Sequence, residues 1–64
     1  MDRMLQFFKY DHLPEHLQNV SKPFHDLAHN IVTTYPANPE RIAGLRKLLE
    51  AKDCIVRSSI YKDT

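Results

Sequence analysis

The sequence predicts an all-α fold, a short N-terminal helix followed by an antiparallel αα-hairpin, in a chain that completes its core by forming an oligomer. Three observations carry this. Phe24, Leu27, Ala28, Ile31, Val32 and Tyr35 recur with the helical period, as do Ile42, Leu45, Leu48, Leu49, Ala51, Ile55, Val56 and Ile60. No stretch alternates apolar and polar residues as a strand does. The third is length: a 64-residue chain that is 42% apolar buries only about 60% of the surface its unfolded form exposes, too little for a comfortable private core.

The prolines punctuate the elements in order. Residues 1–13 are a mixed lead-in ending in Lys9-Tyr10-Asp11-His12-Leu13. Pro14 then takes the first position of a short helix over 14–19. Ser21 is expected to cap a second helix over 22–35, with Lys22 and Pro23 tolerated in its first turn because backbone N–H groups there have no helical partner. Pro36 disfavours helical geometry in the residue before it, which ends this helix near Tyr35. Asn38-Pro39-Glu40-Arg41 restarts the chain as a third helix over 39–60: Asn38 caps, Pro39 is the first helical residue and Glu40 suits the positive end of the macrodipole. A connection of so few residues makes the two helices antiparallel. About 22 residues span about 33 Å, whereas the second helix reaches only about 21 Å. The short first helix covers part of the difference, and other copies of the chain are expected to cover the rest.

Composition excludes several classes. Cys54 is the only cysteine, so no internal disulfide forms. Its place in an apolar run predicts a buried thiol, and a reducing cytoplasm is the natural compartment. The apolar stretch at the N-terminus is too short for a signal peptide or a membrane span. A formal charge of +1, from nine basic and eight acidic residues, argues against a general nucleic-acid coat. No exposed basic recognition helix is expected, so DNA binding through a helix-turn-helix is not expected either.

Catalysis has no constellation to stand on: there is no serine-histidine-acid spacing, no glycine-rich phosphate loop and no paired carboxylates on one face. The sequence therefore reads as a binding protein that is not an enzyme and needs neither cofactor nor metal. Lys9, Tyr10 and His12 set an aromatic ring between a cation and an imidazole, which suits stacking on a nucleobase while neighbouring charges meet phosphate; the alternative is a core tyrosine that anchors the lead-in. Lys52 and Ser59 interrupt the apolar series of the third helix. Lys52 either snorkels or pairs with Asp26 or Asp53, or it waits at a subunit interface for an anion. His12 with His16 and His25 with His29 are spaced by four, as metal-binding pairs on helices are, but neither pair comes with a glutamate in the zincin arrangement or a nearby cysteine ligand, and both can simply be exposed. His25 and His29 flank the apolar stripe, which suits a solvated edge or an interface. Arg41, Arg46, Lys47 and Arg57 read as a solvated face.

Phe8-Lys9-Tyr10-Asp11-His12-Leu13-Pro14, Leu17-Gln18, Val20-Ser21, Phe24, Asn38-Pro39-Glu40-Arg41 and Leu45-Arg46-Lys47-Leu48-Leu49-Glu50-Ala51-Lys52-Asp53 resemble the small phage and prophage proteins of the helical-hairpin domain shared by the anti-CBASS and anti-Thoeris sponge proteins. The resemblance runs from residue 7 to residue 60, and the Leu-Leu-Glu-Ala-Lys-Asp stretch is its most specific part. It implies a protein that sequesters, without cleaving, a cyclic nucleotide signal of bacterial immunity, of the cyclic dinucleotide, cyclic trinucleotide or cyclic ADP-ribose type. It also implies a symmetric homo-oligomer, with a hexamer favoured, that holds ligands between subunits in the cytoplasm of the bacterial host. In that family a tyrosine ahead of the first conserved leucine stacks on a base, and a lysine near the start of the second helix meets phosphate. Tyr10 stands at the first position; Lys22, with Ser21 as competitor, stands at the second. Lys9, His12, Lys52 and Arg57 are further ligand candidates, with Lys9, Lys52 and Arg57 drawn from the charge pattern alone. The rival expectation is a small oligomeric helical protein that binds a host or phage protein through its apolar face.

Overall fold

A computed structural model describes residues 2–63. An N-terminal 3-10 helix (Arg3–Phe8) is followed by two long helices, α1 (Glu15–Thr34) and α2 (Pro39–Ser59), which pack as a hairpin. The molecule is elongated, 43 × 22 × 15 Å. The 3-10 helix lies against both long helices.

The lead-in thus contains an element that periodicity did not predict. Asp2 caps it, its side chain accepting a hydrogen bond from the Met4 N–H at 2.9 Å. Leu5 and Phe8 are three residues apart, one turn of a 3-10 helix, so both fall on one side. Among the described residues they join Ala28 and Leu45 as the buried apolar residues, with Met4, Phe24, Ile31, Val32, Leu48 and Leu49 packed around them. Two side chains of the lead-in therefore supply half of this small core.

The expected break between helices 14–19 and 22–35 is absent. Both are one 20-residue helix, α1, with Pro23 inside it. Pro14 sits one residue ahead of that helix, not in its first turn. Pro23 removes the bond its N–H would make to the Asn19 carbonyl and crowds that carbonyl, a cost of about 3 kcal/mol. Packing on both sides of the proline overrides this: Ser21 and Ala28, seven residues apart, are buried, and Phe24 lies against the core between them. Ser21 is accordingly a mid-helix residue rather than a cap. Its Oγ has no hydrogen-bond partner among the described residues. A buried hydroxyl left unpaired costs about 1–3 kcal/mol, and alanine is the better helix former. Ser21→Ala is expected to stabilise the protein by about 1 kcal/mol, read as a rise in urea midpoint with unchanged slope.

The hairpin turn follows expectation. Tyr35 ends α1 in extended geometry, with its N–H donating to the Ile31 carbonyl at 3.0 Å. The Asn38 side chain accepts from the Arg41 N–H at 2.8 Å and Pro39 opens α2. Arg41, expected on a solvated face, is instead largely buried. It donates to the Tyr35 carbonyl at 2.7 Å and pairs with Asp2 at 3.1 Å, pinning the start of the 3-10 helix beside the turn. Its position four residues before Leu45 puts it one turn away on the same side of α2.

Cys54 is another correction: the thiol is exposed. It lies nine residues beyond Leu45, half a rotation around the helix from the buried face. Gly44, inside α2, has nothing within 4 Å of where a Cβ would stand. Gly44→Ala is therefore expected to stabilise by about 0.5–1 kcal/mol, chiefly by restricting the unfolded chain; a thermal melt followed by circular dichroism measures it.

Candidate functional site

The lead-in turns back over α1. After the 3-10 helix, residues 9–14 lead to α1 through a turn closed by the Leu13 N–H on the Tyr10 carbonyl at 3.0 Å. The Gln18 side chain fastens it from the helix, donating to the Leu13 carbonyl at 2.7 Å. This folding-back carries Tyr10 onto α1, where its ring meets His25 edge-on with centroids 4.9 Å apart. His25 in turn stacks obliquely on His29, one helical turn on, at 4.2 Å.

Between the lead-in and α1 lies an open groove of about 640 Å³, lined by Asp2, Arg3, Leu5, Gln6, Lys9, Tyr10, Asp11, His25 and His29. It offers an apolar floor, an aromatic ring, two imidazoles and charges of both signs. That volume is within the range of sites for small organic ligands.

Behind His25 runs a chain of charged groups. Asp26 lies 3.0 Å from His25 Nδ1 and 2.8 Å from Lys22 Nζ. The hydrogen bond from Lys22, then that from His25, holds the Asp26 carboxyl below the usual carboxylate range. The hydrogen bond to Asp26, reinforced by its charge and more weakly by Tyr10, holds the Lys22 ammonium above the usual lysine range. Lys22 is thus an exposed cation paired with Asp26 and is not among the residues that line the groove, and Asp26 is the anion that His25 meets.

The structure separates the remaining sequence candidates. Lys9 and Tyr10 line the groove; His12 is exposed and does not. Ser21, the competitor of Lys22, is buried and does not line the groove. Lys52 donates to the Phe7 carbonyl at 2.8 Å, lies 3.4 Å from Asp53 and stands 6.0 Å from the centre of the Phe8 ring. Its ammonium closes the end of the 3-10 helix, and one of the expected carboxylate partners is present. Arg57 lies near the C-terminus of α2, with its guanidinium 3.4 Å from Cys54 Sγ, away from the groove.

His25 and His29 line the groove, although their spacing in the sequence points only to a solvated edge, an interface or a metal-binding pair. Their spacing of four was visible, whereas their meeting with Tyr10 depends on a turn made by residues far from either. Among the described residues, no group of three or more His, Cys, Asp or Glu side chains is placed to hold a metal ion. No described helix is long and apolar enough to cross a membrane.

No protein family, curated protein or solved structure matches this chain.

Proposed function

We propose that this chain is a phage-encoded sponge that binds and sequesters cyclic nucleotide signals of bacterial immunity without cleaving them. The observation that carries the reading is the convergence of Tyr10, Lys9, His25 and His29 on one groove, with Lys22 one turn behind His25. An aromatic face with cations beside it is what a nucleotide requires, since every base presents a π-face and every phosphate a negative charge. Tyr10 stacks on a base in this scheme, and Lys9 and Lys22 meet phosphate. Stacking supplies about 1–3 kcal/mol and each charge-assisted contact about 1.5–3 kcal/mol.

Copies of the chain enclose the groove. Leu27, Ile42, Ile55 and Ile60 are each between 44% and 57% exposed, apolar surface that a homo-oligomer, with a hexamer favoured, would cover. Arg57, which does not line the groove of its own subunit, then acts in assembly or from a neighbouring copy, whereas Lys52 is committed to the Phe7 carbonyl within its own subunit. The same exposed residues support a second reading, an oligomeric adaptor that grips a host or phage protein. Calorimetry with cyclic dinucleotides, cyclic trinucleotides and cyclic ADP-ribose isomers separates the two: the sponge gives saturable heat with at least one of them and returns it intact, whereas an adaptor gives none.

A further inference from the structure

We propose that His25 and His29 receive the anionic part of the ligand and that the groove takes up a proton as they do so, making capture stronger as the solution becomes more acidic. This deepens the reading of the groove as the ligand site and rests on it.

The permanent charges in and around the groove leave it with one net positive charge. Arg3 and Lys9 face it as cations, and Asp2 and Asp11 as carboxylates. Asp2 is in addition paired with Arg41 from α2, and on α1 the Lys22 and Asp26 charges are paired with each other. The groups that can add further positive charge to the groove by taking up a proton are the two imidazoles. Tyr10, the other titratable neighbour, meets His25 with the two rings steeply inclined, 70° between their planes.

The geometry equips this pair for an anion. Asp26 accepts a hydrogen bond from His25 Nδ1 at 3.0 Å, so the carboxylate supports the protonated ring and leaves Nε2 as its second donor. His29 stacks on that ring at 4.2 Å. Two imidazolium ions so close repel each other, and an anion bound against both relieves the repulsion. A ligand phosphate and a proton therefore favour each other's binding, a reciprocal coupling between two ligands of one site. If one proton enters with the anion, affinity falls by up to about tenfold per pH unit as the solution becomes more basic.

The test uses the full chain and inorganic trimetaphosphate, a cyclic phosphate with no base and with a charge that stays constant over this range. Binding is measured by calorimetry at about pH 6 and about pH 8, and the imidazole resonances are followed by NMR. The expected result is movement of both His25 and His29 signals and affinity at least tenfold weaker at the higher pH, a dependence that disappears in His29→Gln and in His25→Gln. Equal affinity at the two pH values, absence of binding at the lower pH, or binding that leaves the His25 and His29 signals in place overturns the proposal. Because the probe lacks a base, a pH-dependent result beside a silent nucleotide panel keeps the imidazole site and removes the sponge. Nucleotide capture beside a pH-independent trimetaphosphate result does the reverse.

Discussion

On the proposed sponge function, Tyr10→Ala is expected to weaken cyclic nucleotide binding by roughly 5- to 140-fold, the equivalent of one lost base stack at about 1–3 kcal/mol, while the helices remain folded. The Tyr10 ring is half-buried and meets His25 by its edge, so the core of Leu5, Phe8, Ala28 and Leu45 does not depend on it. Tyr10→Phe keeps the ring and should keep most of the affinity. Calorimetry of the three proteins with the tightest nucleotide of the panel, beside their circular dichroism, measures both halves of the expectation. A Tyr10→Ala protein that binds as tightly as the parent removes the stacking role; one that loses helicity assigns the tyrosine to the fold.

Phe8→Ala has the largest expected effect on stability. Phe8 is wholly buried at the point where the 3-10 helix meets both long helices, and Lys52 reaches over its ring to the Phe7 carbonyl. Truncating a buried phenylalanine costs about 3–5 kcal/mol, comparable to the total that a core of this size supplies. The 3-10 helix then detaches, the Asp2–Arg41 pair loses its support, and the groove loses one wall. Urea unfolding should show a midpoint moved to near zero denaturant or a transition without cooperativity, and Tyr10 should lose its contact with His25. A midpoint close to that of the parent would mean that the hairpin stands without its N-terminal segment.

Particular elements explain what the sequence disclosed. The hairpin was legible because its signals are redundant: a helical apolar period repeated over two segments, and Pro36 and Asn38-Pro39 at the turn, where Asn38 caps α2 as expected. The 3-10 helix was not, because its signal is a single spacing of three between Leu5 and Phe8 and a cap at Asp2. Pro23 misled for a different reason. The local preference against a mid-helix proline is real, but burial of Ser21, Phe24 and Ala28 around it outweighs the preference, and tertiary packing is invisible in a local reading. Arg41 and Cys54 show the same limit at the level of one face, where residue type pointed one way and helical phase the other.

The site divides similarly. Lys9 and Tyr10 could be picked out because a cation beside an aromatic residue is a chemical pattern in its own right. Their partners on α1 could not, since the turn over residues 9–14 and its fastening by Gln18 decide which side of the helix the tyrosine meets. Lys22 owes its standing to the resemblance; its pairing with Asp26, and through it with His25, is a product of the folded helix.

Native mass spectrometry of the full chain at micromolar concentration, with the panel of cyclic di- and trinucleotides and cyclic ADP-ribose isomers, tests the central claim most directly because it reports subunit number and ligand together. The sponge predicts a symmetric oligomer that carries an intact cyclic nucleotide at a fixed ratio to its subunits. A monomer that carries none of them would contradict it.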